Sequence, residues 1–176
     1  MYNVIVLAEQ PMSSGDAAEV TSLHEEIDEP RHYHVLIPCE NAAATVETTL
    51  GTLATGEMMA APPMLAAEVN VEQAQHDIDE HARHDLNASV AALRAVGQSA
   101  TGEFSADDPI DALERAVQEQ SAAEVIVMTR PHVVQEFLHL DWTSKARRRL
   151  GVPILHLLEH EPLDGEAGAP EGITGV

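Results

Sequence analysis

The stretch VIVMTRPHVVQEFLHLDW, residues 125–142, decides how the chain is read. Its opening run, Val125 to Met128, is short, apolar and rich in β-branched residues, as a strand covered on both faces requires. Thr129, Arg130 and Pro131 end that run, and a helix is expected from about Asp141 to Leu150. A strand that leads through a loop into a helix is half of a βαβ unit. The loop at the carboxyl end of such a strand is where open parallel sheets bind ligands. Phosphate-binding loops in this position use glycine, because backbone amides must approach the phosphate closely. Here no glycine occurs between Gly102 and Gly151.

The same rhythm extends in both directions. Residues 2–8 (YNVIVLA) and 32–38 (HYHVLIP) form apolar runs of strand length, separated by a helix expected over 16–25. A second helix is expected over 41–53, capped by Asn41, and a long one over 68–97, closed by Gly97. Residues 99–105 make a weaker strand. DDPIDALERAVQEQ has an aspartate cap, Pro109 in the first turn and acids at the positive helix end. VPILHLL, 152–158, is the last strand. Strands alternating with helices imply an α/β fold with a largely parallel sheet. Gly56, Pro62, Pro63 and three methionines make residues 54–67 a lid or a partner surface.

Composition narrows the classes. The chain has 176 residues, 44% of them hydrophobic, enough for one domain with its own core. One lysine and eight arginines face 30 acids, for a net charge of −21. Such a field repels nucleic acid and anionic membranes and favours cations or basic partners. Lys145, Arg147, Arg148 and Arg149 concentrate nearly half of the basic charge near the end of one helix, where the macrodipole favours cations. No apolar run is long enough for a membrane span. The first residues do not read as a signal peptide, and Cys39 is the only cysteine, so a cytoplasmic setting is expected. Residues 161–176 carry acids and no base, and are expected to be a disordered tail.

Three segments carry a family resemblance: HVLIPCENAAAT (34–45), DDPIDALERAVQEQSAAEVIVMT (107–129) and SKARRRLGVPILHLL (144–158). In this order they resemble the universal stress protein domain, over most of residues 32–158. The resemblance implies an open, mostly parallel Rossmann-like sheet with helices on both faces, and a homodimer joined through the last strand. On this reading residues 1–160 form a single domain of five or six strands, in which the strand and helix of 1–30 are an addition. The family's second strand is missing, since only Pro62, Pro63 and a polar EVNVEQ follow the helix of 41–53.

Many family members bind ATP through a loop G-x2-G-x9-G-[ST]. Its glycines fall here near Thr129, His132 and Trp142, none of them glycine, and Pro131 removes an amide donor. The family's nucleoside-contacting acid, at the end of its first strand, corresponds on this alignment to Glu40. The candidate ligand site is therefore the rim formed by Glu40, Thr129, Arg130, His132, His139, Asp141 and Trp142. Phe137 and Trp142 are large enough to plug it instead. His76, Glu80 and His84 recur four apart on a helix and could hold a divalent metal. His32 and His34 share one side of a strand, and with Cys39 further along they form a conceivable zinc set, against the plainer reading of residues at a strand's edge or entry. No nucleophile motif is present.

These residues lead to a regulatory or adaptor protein, non-catalytic, with a degenerate nucleotide site and no resident cofactor. Two alternatives stay open. One is a sensor of ATP, another nucleotide or a small ligand, using Glu40, Arg130, His132 and Asp141. The other is a histidine-based metal protein or hydrolase.

Overall fold

The computed structural model describes residues 1–39, 71–129 and 140–158, with the side chains of 140–144 and 158 outside that description. The expected helix over 41–53, the segment 54–67 and the acidic tail lie outside the described residues. Chain order is β1 (Tyr2–Ala8), α1 (Ser14–Ser22), β2 (Arg31–Pro38), α2 (Val71–Ala95), β3 (Ser99–Ser105), α3 (Pro109–Gln120), β4 (Glu124–Thr129), α4 (Leu140–Leu150) and β5 (Ile154–Leu158).

All strand pairs are parallel, in the order β3-β2-β1-β4-β5. The strand read above as an addition is thus the middle of the sheet. Its sequence explains the position: Val4 to Ala8 are all buried, a continuous apolar run that only a strand covered on both faces can hide. The supposedly missing second strand is β2, which the family alignment of 34–45 had treated as the first. The sheet has five strands among the described residues, with β1 included.

Alternation along the strands divides the core in two. Val4, Val6, Tyr33, Val35, Ile126 and Met128 face α1 and α2, against Val20, Ala82 and Leu93. Ile5, Leu7, Leu36, Val125 and Val127 face α3 and α4, against Leu113, Val117, Ala146 and Leu150. The helix ends follow local chemistry. Ser13 caps α1 in a reciprocal box with Asp16, whose carboxylate accepts from Ser13 N at 2.8 Å. Asp108 caps α3 by accepting from Ile110 N and Asp111 N, ahead of Pro109 in the first turn. Gly97 and Gly151 take positive φ just past α2 and α4, which halts each helix without a Cβ clash.

The clustered cations of α4 are used partly inside the fold. Arg149 Nη1 donates to Asp111 Oδ1 at 2.7 Å, and Nη2 donates to Glu114, tying α4 to α3. At the amino ends of the strands, buried His24 joins Tyr33 and Glu124. Its Nδ1 lies 3.0 Å from the Tyr33 hydroxyl, and its Nε2 pairs with Glu124 Oε1.

Candidate functional site

Strand order reverses at β1, since the chain builds β2 and β3 on one side of it and β4 and β5 on the other. A reversal leaves the loops at the carboxyl ends diverging, and a crevice opens between them. The last β1–β4 pair is Ala8 with Met128. The next residues, Glu9 and Thr129, therefore stand at the head of the crevice.

A cleft of ≈ 520 Å³ lies on the β2 side, against α2, and its lining includes Glu9, Gln10, Cys39, Asp77, His81 and Asp85. Glu9 belongs there because β1 ends one residue earlier. The loop after it is pinned to α2: Met12 N donates to Ser89 Oγ at 2.9 Å, and Ser89 Oγ donates to Asp85 O at 2.8 Å. The Asp85 carboxylate is buried and stands 3.4 Å from both His81 Nε2 and His84 Nδ1. Cys39 follows β2, its amide donating to Ser105 O at 2.9 Å. Burial, with the charges of Asp79 and Asp107, pushes its thiol up from the ordinary value, so sulfur stays protonated at neutral pH. No lysine or arginine lines this cleft among the described residues.

The residues expected at the site separate as follows. Thr129 is at the carboxyl end of β4 as anticipated, but it is buried and its Oγ1 is 2.6 Å from His156 Nε2 on β5. Asp141 and Trp142 lie in the first turn of α4, with their side chains outside the description. Glu40, Arg130, His132, His139 and Phe137 lie outside the described residues. β1 is the first strand of the sheet, and the acid that follows it is Glu9. Its signal in the sequence is the apolar run VIVLA followed by a carboxylate. The expected trio on α2 does not converge. His76 Nε2 pairs with Glu80 at 3.5 Å, while His84 turns to Asp85. No group of three metal-ligating side chains is arranged around one point among the described residues. None of the described helices is long and apolar enough to cross a membrane.

No protein-family model matches the chain, and no curated protein matches it. Solved structures do. The hypothetical protein MJ0577, studied as a structural-genomics test of assigning function from structure, superposes with a TM-score of 0.60 at 11% identity, over 92% of this chain and 99% of its own. A universal stress protein family protein from Arabidopsis thaliana with AMP bound gives 0.51 at 13% identity, over 93% and 97%. The universal stress protein from Archaeoglobus fulgidus gives 0.50 at 13%, over 89% and 93%. The fold is that of the universal stress proteins. In universal-stress-protein terms, the described cleft lies on the β1–β2 half of the crevice, and β4, which the glycine-free stretch follows in sequence, borders the other half.

Proposed function

We propose that the protein is a non-catalytic regulatory module on the universal stress protein fold, whose crevice has lost its grip on nucleotide phosphates. One observation carries this reading. Thr129, near the position of the loop's first glycine, turns its side chain inward to bond His156, and no glycine follows before Gly151. A side chain committed to bridging β4 and β5 is no substitute for a bare backbone that cradles phosphate. Electrostatics supports the same view. Glu9, Asp77 and Asp85 line the described cleft, and no lysine or arginine that would favour a triphosphate is among its described lining residues. Cys39, the one thiol in the cleft, is held protonated, which removes the obvious nucleophile.

A second reading, a nucleoside or small-ligand sensor, has its own support. The ≈ 520 Å³ cleft falls within the roughly 300–1,000 Å³ common for small-molecule sites. Glu9 stands where the family's nucleoside-contacting acid is expected, and the Arabidopsis neighbour carries AMP.

The protein also acts as a homodimer through β5 on this proposal. That strand pairs with β4 on one side, and Leu155 is exposed along it. Among the described residues no strand pairs with its other edge, and an unpaired apolar edge invites a second strand.

Native mass spectrometry of the freshly purified chain tests these statements together. The expected spectrum is a dimer without co-purified nucleotide and without saturable uptake of added ATP. A co-purified nucleotide, or ATP uptake abolished by Glu9→Ala, would overturn the regulatory reading in favour of the sensor. A monomer would remove the dimer.

A further inference from the structure

On the sheet face that carries α3, two imidazoles of β2 converge on a single atom. His32 and His34 alternate along the strand, so both side chains leave the same face. His32 Nε2 is 2.8 Å from Thr101 Oγ1 on β3, and His34 Nδ1 is 3.1 Å from that same oxygen. A hydroxyl carries one hydrogen, so it can donate to only one of the two rings, and the other must present its own N–H. Two ring nitrogens are therefore already gathered about one oxygen donor. Register places Thr101 opposite His34 and Glu103 opposite Leu36, two residues further along the same face. Glu103 Oε1 is shut off from solvent without a hydrogen bond, and Arg115 Nη2 stands 4.0 Å away, beyond hydrogen-bond reach.

We propose that His32 and His34, with the Thr101 hydroxyl between them, form a binding site for one divalent transition-metal ion, with water completing its coordination. Imidazole suits copper, nickel and zinc, and copper(II) holds a two-nitrogen site most tightly of the three. The carboxylates of Glu103 and Glu119 act on His34 through space and favour an added positive charge. Because no third imidazole, thiolate or carboxylate is in place among the described residues, the site is an open chelate and not a closed structural centre. It is separate from the crevice: Cys39, which the sequence left as a conceivable partner, lines the cleft at the other end of β2.

Copper(II) titration of the full chain, read by electron paramagnetic resonance, tests the site. One tight copper per chain with coupling to two imidazole nitrogens is expected. His32→Asn, at the exposed end of the pair, should weaken it roughly a hundredfold, the advantage of joining two ligands on one strand. His34→Asn should do the same, provided its circular dichroism matches the parent. The rival sites are the pairs His76–Glu80 and His81–Asp85 on α2, each with an exposed imidazole. His76→Asn and His81→Asn should leave the tight copper in place. Copper affinity unchanged in His32→Asn, or lost in His76→Asn or His81→Asn, overturns the proposal.

Discussion

At the scale of single residues, burial decides behaviour that composition leaves open. Composition gives ten histidines in an acidic chain and no sign of how they are buried. In the structure they divide. His76 and His81 are exposed on α2, whereas His24 and His34 are buried and hydrogen-bonded. Desolvation lowers the pKa of His34, opposed by the charges of Glu103 and Glu119 and reinforced by His32. His156, bonded to Thr129, is lowered by burial as well. Both groups hold protons less readily folded than unfolded, so their contribution is complete above the unfolded value of about 6.5 and is lost as pH falls toward the folded values. Urea midpoints measured with a chelator present should therefore drop between about pH 7.5 and 5.5. His34→Asn should flatten part of that slope. An unchanged slope would mean that His34 is not buried as a neutral ring. None of this division was legible in the sequence, because it depends on which strand lies beside β2.

Elements were easier to read, since each carries its own periodicity and stop signals. The aspartate cap and Pro109 of α3, the closing glycine of α2 and the strand 99–105 all stand where the sequence placed them. What the sequence could not show is how elements meet. Gly102 read only as part of a weak strand. In the structure it lies beside Val35, and a Cβ there would come 2.4 Å from Val35 O and 2.6 Å from Leu86 Cδ1 of α2. The glycine is what lets α2 settle onto β3. The backbone carbonyl of a paired strand cannot step aside as a flexible side chain could. Gly102→Ala should thus destabilise the fold by roughly 1–3 kcal/mol, the usual cost of overpacking. Equilibrium denaturation checks this, and a loss within a few tenths of a kcal/mol would show that α2 can lift away freely.

For the whole molecule, charge and topology matter most. A net charge of −21 on one domain is self-repulsive, and the described ion pairs are local, such as Arg149 with Asp111 and Glu114 or Arg115 with Asp107. Salt shortens the reach of that repulsion, from about 10 Å at 0.1 M to about 3 Å at 1 M. The melting temperature should rise as KCl is raised across that range. A flat or falling curve would mean that attractive pairs outweigh the repulsion. The α/β class, the alternation of strands and helices, the acidic field and the absence of glycine between β4 and Gly151 are set by the sequence alone. These depend on composition and on periodicity along the chain, which neighbours in sequence suffice to express. Only the tertiary structure decided that residues 2–8 are the central strand, that Glu9 follows it into the crevice, and that His32 and His34 meet at Thr101. Parallel strands take their neighbours through crossover connections, so two strands alike in apolar content can occupy the middle or the flank of a sheet. The partner that settles the question lies dozens of residues away.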